Sequence, residues 1–135
     1  MNRMFEIVPL KNVGGIIFGM PRADVRKLLG KPLSEFRKTR ISVNTTDDYG
    51  EFHVYYTADN MCEAVELFGG STVWLNGQTL FPATQASFVS WMHSIDPDCE
   101  VTESDVLSRK MSIGASFEAE KVVSVLFAQE GYYAV

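Results

Sequence analysis

Gly19-Met20-Pro21-Arg22-Ala23-Asp24-Val25-Arg26-Lys27-Leu28-Leu29-Gly30-Lys31-Pro32 spells one short helix with both ends marked. Pro21 suits the first turn, where its missing N–H is no loss. Asp24 stands early and Arg26 and Lys27 stand late, as the helix dipole favours. Gly30 is placed as the left-handed residue after the last turn, and Pro32 prevents continuation. Val25, Leu28 and Leu29 share a face, so the helix has to cover an apolar surface.

The residues after this helix decide the fold. Residues 31–40 carry Lys31, Arg37, Lys38 and Arg40 without a period, and read as a loop with a turn at Ser34-Glu35-Phe36. Asp47-Asp48-Tyr49-Gly50 is a turn signal. Glu51 to Thr57 then alternates, with Phe52, Val54 and Tyr56 on one face and His53, Tyr55 and Thr57 on the other, as a half-buried strand requires. Ala58-Asp59-Asn60 turns the chain, and Met61 to Phe68 returns with Met61, Val65 and Leu67 inward and Glu63 discordant among them.

The same order comes again. Thr84 is placed to cap a second helix running to about Ile95, with Phe88, Trp91, Met92 and Ile95 as its apolar stripe. Asp96-Pro97-Asp98 stops it, and residues 98–108 read as an acidic loop. Lys110 to Phe117 and Val122 to Ala128 form a hairpin joined at Glu118-Ala119-Glu120-Lys121, with Val123, Val125 and Phe127 on one face. Helix, linker and hairpin thus occur twice, a repeat that rests on element order and not on residue identity. Between the units lies a hairpin, Thr72-Val73-Trp74-Leu75 and Gln78-Thr79-Leu80-Phe81, turned by Asn76-Gly77, the preferred type I′ pair. Ahead of them, Phe5 to Val8 is a short strand and Gly14 to Gly19 a brief extended run. The expected architecture is a single α+β domain over residues 1–135. It has an antiparallel sheet of about six or seven strands, two helices on one face, and an open face presenting His53, Tyr55 and Thr57.

A chain of 135 residues, 46% hydrophobic and 21% charged, can bury a core without disulfide or metal staples. Cys62 and Cys99 are too few for a disulfide framework, and whether they pair is open. No apolar run approaches the roughly 20 residues of a membrane span. Met1 to Glu6 begins like a signal peptide, but Glu6, Pro9, Lys11 and Asn12 interrupt any apolar region, so a cytoplasmic protein is expected. The net charge of −5 hides an asymmetry. Residues 1–40 hold nine of the twelve Lys and Arg against three acids, net +6. Residues 41–108 hold eleven acids and no Lys or Arg, net −11. Such a stretch is either a solvated surface or a face that docks a basic partner.

Catalytic patterns are thin. A nucleophile needs a base within reach and a third group to orient it. Cys62 sits in a strand as a small apolar residue, His93 lies on the polar side of its helix, and His53 shares a strand face with Tyr55. No pair among them has metal-ligand spacing. Asp96, Asp98 and Glu100 start like a calcium loop, but Val101 and Leu107 stand where glycine and the closing glutamate belong. Gly14 to Gly19 precedes a helix without a phosphate-loop ending. Seven bases within residues 22–40 form a cluster, but nucleic acid would meet an acidic chain overall. The expectation is a binding protein with no catalysis, no metal and no cofactor. Its oligomeric state cannot be read from the sequence.

Gly15-Ile16-Ile17-Phe18-Gly19-Met20, the Val25-Arg26-Lys27-Leu28-Leu29-Gly30 helix, Phe52-His53-Val54-Tyr55-Tyr56, Glu63-Ala64-Val65-Glu66-Leu67 and Val73-Trp74-Leu75-Asn76-Gly77-Gln78-Thr79-Leu80 resemble small bacterial immunity proteins. The closing Val123-Val125 strand with Gly131-Tyr132-Tyr133 is similar as well. These proteins are encoded beside contact-dependent or polymorphic toxins. The G-M-x-x-x-x-V-x-x-x-L-G-x-P phrase also resembles the lipoprotein family of the outer-membrane barrel-assembly machinery. That family carries a lipidated N-terminal cysteine, for which this sequence has no counterpart. The immunity resemblance implies binding to a cognate toxin, with no nucleic acid or membrane as partner. A nuclease toxin is basic because it binds phosphate, and an acidic inhibitor would match it. Asp47, Asp48, Asp96, Asp98, Glu100, Glu103 and Asp105 are the implied steering and contact residues. Tyr49, Tyr55 and Trp74 are the candidate aromatic anchors if they are exposed, and Trp74 reads equally well as a core residue. The alternative is a small-molecule or peptide-binding module without catalysis.

Overall fold

The computed structural model describes residues 4–69, 72–75 and 78–133. In chain order its elements are β1 (Met4–Val8), β2 (Asn12–Val13), β3 (Ile16–Ile17), α1 (Arg22–Leu29), β4 (Ser34–Phe36), β5 (Thr46–Asp48), β6 (Phe52–Tyr56), β7 (Cys62–Phe68), β8 (Thr72–Leu75), β9 (Gln78–Thr79), α2 (Gln85–Ile95), β10 (Glu100–Val101), β11 (Asp105–Ser108), β12 (Ile113–Glu118) and β13 (Lys121–Ala128). The fold is α+β, as expected. The main sheet has eight antiparallel strands in the order β10-β11-β12-β13-β7-β6-β5-β4. A second sheet runs β3-β2-β1-β8-β9, with β1 and β8 parallel.

The repeat is present and larger than a helix and a hairpin. Each unit is a helix followed by a four-stranded meander, and the two meanders join through their last strands, with Leu126 opposite Glu66 at the middle of the junction. Details recur at offsets of about sixty residues. The register shifts after Tyr55 in one unit and after Ser116 in the other. Pro21 bridges Met61 as Thr84 bridges Lys121. The Arg22 N–H donates to the Asn60 carbonyl as the Gln85 N–H does to Glu120, both at 2.8 Å. The Phe68 N–H donates to Glu51 as the Ala128 N–H does to Ser112, both at 3.0 Å.

One face of the main sheet carries the core. Phe52, Val54, Tyr56, Val65, Leu67, Val106, Ile113, Ala115, Phe117, Val122, Val125 and Phe127 are buried in a single cluster. Val25 of α1, Phe88 and Met92 of α2, and Ile7, Val13, Ile16 and Leu75 of the smaller sheet cover them. Thr84 caps α2, its hydroxyl accepting from the Ser87 N–H at 3.1 Å. Trp91 and Ile95 pack at the margin, so the predicted stripe holds. In α1, Val25 is fully buried and Leu29 partly so, but Leu28 is 53% exposed. Gly30 caps α1 at φ 85, as its position predicts.

Four local expectations are corrected. The span 31–40 contains β4, an edge strand paired to β5, where a loop and turn were expected. Asp47 and Asp48 belong to β5, and the turn begins only at Tyr49. The acidic run 98–108 forms β10 and β11, although only Val106 and Ser108 in these strands are buried. In β13 the inward residue is Val122 in place of Val123, because the bulge adds one residue there. The matching bulge in β7 explains the discord at Glu63, the residue skipped between Cys62 and Ala64. The Asn76-Gly77 turn lies outside the described residues, although Leu75 pairs Gln78 across it.

Candidate functional site

The basic helix and the first acidic pair make a structural network. Arg22 and Arg26 stand one turn apart on α1, facing β5. Asp47 Oδ1 accepts from Nη2 of both arginines at 2.6 Å, and its Oδ2 accepts from Arg26 Nε at 3.0 Å and the Tyr56 hydroxyl at 2.8 Å. Glu35 on β4 joins from the rim, near both guanidinium groups and accepting from the Thr45 hydroxyl at 2.7 Å. Asp47 is fully buried. Burial opposes its charge, but the bonds from Arg26, Arg22 and Tyr56 outweigh it and hold the carboxyl below the usual range. Asp47 therefore ties α1, β5 and β6 together and is not presented to a partner. Arg22 and Arg26 are likewise committed, which removes two members of the basic cluster.

Tyr49 is also buried, stacked on Phe52 with ring centroids 5.1 Å apart, and its hydroxyl donates to the Gly30 carbonyl at 2.9 Å. It anchors the end of α1 and cannot serve as an exposed aromatic anchor. Asp96 is 4% exposed. Its oxygens accept from the Asp98 N–H at 3.0 Å and the Ser108 hydroxyl at 2.7 Å, so it closes α2 onto β11. The side chain of Trp74 lies outside the described residues. Asp48 is partly exposed and accepts from the Gly50 N–H at 2.7 Å.

The remaining predicted acids do share a region. Asp98, Glu100, Glu103 and Asp105 are all exposed, on or beside β10 and β11 at one edge of the sheet. Glu103 and Glu120 line one hollow with Gln85, and Glu120 was not among the expected contact residues. Arg109 pairs with Glu100 at 2.6 Å, and about half of each side chain stays exposed. Asp48 sits five strands away, about 24 Å at the usual strand spacing, several screening lengths from this edge. The acids therefore form one end patch and not one continuous face.

The second face of the main sheet is half covered. Tyr55 is buried there with Ala64 and Ala128, beneath Leu126 and Tyr132. Its hydroxyl donates to Glu66, and burial together with that carboxylate pushes the phenol well up. Lys38 lies over the Tyr55 and Tyr132 rings and donates to the Tyr132 hydroxyl. His53 packs edge-on between Phe36 and Phe68, at 4.9 and 4.7 Å between ring centres. Toward β11 the face opens into a groove lined by Glu66, Asp105, Leu107, Gly114, Ser116, Ser124, Leu126 and Tyr133.

One contact joins a thiol to an imidazole: Cys99 Sγ lies 3.5 Å from His93 Nδ1. Desolvation, then the charges of Asp96 and Asp98, push this thiol up, the opposite of what a nucleophile requires. Cys62 is buried and pushed up to about 12 by desolvation. Both cysteines are free. Among the described residues no group of three or more His, Cys, Asp and Glu is placed to hold a metal ion, and no helix is long and apolar enough to cross a membrane. No family model, no curated protein and no solved structure matches the chain.

Proposed function

We propose that the chain is an immunity-type inhibitor that binds and neutralises a basic protein toxin, of the nuclease kind, through the acidic end of its main sheet. The observation that supports this most is the patch at β10 and β11. There Asp98, Glu100, Glu103 and Asp105 are exposed together, Glu120 adjoins them, and Arg109 is already paired with Glu100. Carboxylates massed at one end of an acidic molecule attract a basic partner over several ångströms and orient its approach. A nuclease offers the complementary charge because its own ligand is a polyphosphate. The inhibitor needs no chemistry of its own.

The test has two steps. The chain, used as bait in lysate of its source organism, should retain a basic protein at low salt. That protein, expressed alone, should arrest growth, and co-expression with this chain should relieve the arrest. Retention of only neutral or acidic proteins contradicts the reading. So does a basic partner whose expression is harmless.

A further inference from the structure

The groove on the second face of the sheet has a regular construction. Two rows of paired residues cross it. Asp105, Ser116, Ser124 and Phe68 make one row, and Leu107, Gly114, Leu126 and Glu66 make the next. Gly114 leaves the gap. A Cβ there would meet the Tyr133 hydroxyl oxygen at 2.6 Å, so the tyrosine ring end lies directly on the glycine. Arg109 fixes that tyrosine by donating to its carbonyl at 2.7 Å.

Leu107, Leu126 and Tyr133 thus give the groove apolar walls, while Asp105 and Glu66 place carboxylates along it. Each carboxylate is half engaged. Asp105 Oδ1 accepts from the Thr102 hydroxyl at 2.8 Å, and Glu66 Oε1 accepts from Tyr55, and the second oxygen of each has no hydrogen bond among the described residues. Ser124, only 8% exposed, lines the same groove, and its hydroxyl makes no hydrogen bond among the described residues. That hydroxyl opens into the hollow that Asp105 and Glu66 also line, and can bond a polar occupant there. The hollow measures about 240 Å³, room for a side chain but not for a helix ~10 Å across.

We infer that this groove receives one arginine or lysine side chain of the basic protein partner. Its aliphatic stem would lie along Leu107, Leu126 and Tyr133, and its cationic end would donate to Glu66 and Ser124 on adjacent strands, with Asp105, three strands from Glu66, adding attraction at longer range. Long basic side chains match such a site because an apolar stem carries a charged end, and arginine adds a fork that fits carboxylates. Burial, with Tyr132 and Glu66 nearby, keeps the Tyr133 phenol protonated, so its hydroxyl presents no competing charge. The inference rests on the inhibitor reading and adds to it a defined pocket beside the acidic edge.

The test is a titration of the full chain with N-acetyl-arginine amide, followed by amide nuclear magnetic resonance. The expected result is saturable shifts at Glu66, Gly114, Ser116, Ser124 and Leu126, absent with neutral N-acetyl-norleucine amide. Glu66→Gln, which can still accept from Tyr55, should weaken the binding about tenfold, and Ser124→Ala should weaken it less. Absence of shifts at these residues, or equal shifts with the neutral probe, overturns the inference. The two readings fail separately. A silent groove with capture of a toxic basic protein intact overturns the pocket alone, whereas a groove that binds arginine amide with no such protein captured overturns the inhibitor reading alone.

Discussion

Asp47 shows how far a single residue can be misjudged from its neighbours in sequence. Asp47-Asp48-Tyr49-Gly50 has the composition of a turn, yet Asp47 is the buried centre of a network that holds α1 to the sheet. The available signal was Arg22 and Arg26, one turn apart on the polar side of a short amphipathic helix. Two guanidinium groups against a sheet require a carboxylate, and sequence alone does not say which of seventeen acids supplies it. Replacing Asp47 by Asn should cost about 3 kcal/mol at neutral pH, because it leaves two partly buried arginines short of a counter-charge. Urea unfolding measures this. The pH dependence has a defined sign. The folded carboxyl titrates below its unfolded value of about 4, so as pH falls below that value the unfolded state takes the proton first and stability is lost. Asp47→Asn removes that contribution, and its stability should decline less than the parent's between pH 5 and pH 2.

At the scale of elements, what could be read and what could not divide along local and non-local physics. Both helices were legible because their caps and stripes are local: Thr84 caps α2 and Gly30 ends α1 as their positions predict. Thr84→Ala should therefore lower stability by about 1 kcal/mol, seen as a reduced urea midpoint with an unchanged slope. The hairpins were legible through alternation. The edge strands β4 and β10 were not, because none of their residues is buried and pairing alone makes them strands, and their neighbours β5 and β11 were not, because they are short and three of their four buried residues, Thr46, Asp47 and Ser108, are polar. The bulges were hidden as well, since one extra residue is defined only against a partner strand. The turn joining β12 and β13 is strained in a correctable way. Ala119 and Glu120 sit at φ 50 and 64, whereas the equivalent position in the first unit is Asn60, a residue that tolerates such angles. Replacing Ala119-Glu120 by Asn-Gly should stabilise the chain by about 1 kcal/mol, checked by thermal unfolding.

For the molecule as a whole, the repeat was legible from element order alone, because each helix is followed by strands in the same sequence. The way the units join was not, since a junction between β7 and β13 spans about sixty residues of chain. The charge asymmetry was legible as a composition, but its distribution needed the fold. Asp47 and Asp96 are withdrawn into the interior, Asp48 lies toward the far edge, and Asp98, Glu100, Glu103 and Asp105 remain together. The central claim is that this remaining patch draws in a basic protein. The direct measurement is capture of that protein from lysate at low and high salt, by the parent and by Glu100→Lys, Glu103→Lys, Asp105→Lys combined. These side chains are exposed, so the triple variant should fold. The account predicts strong capture by the parent at low salt, weaker capture at high salt, and a large loss in the variant. Equal capture by parent and variant, unaffected by salt, would contradict it.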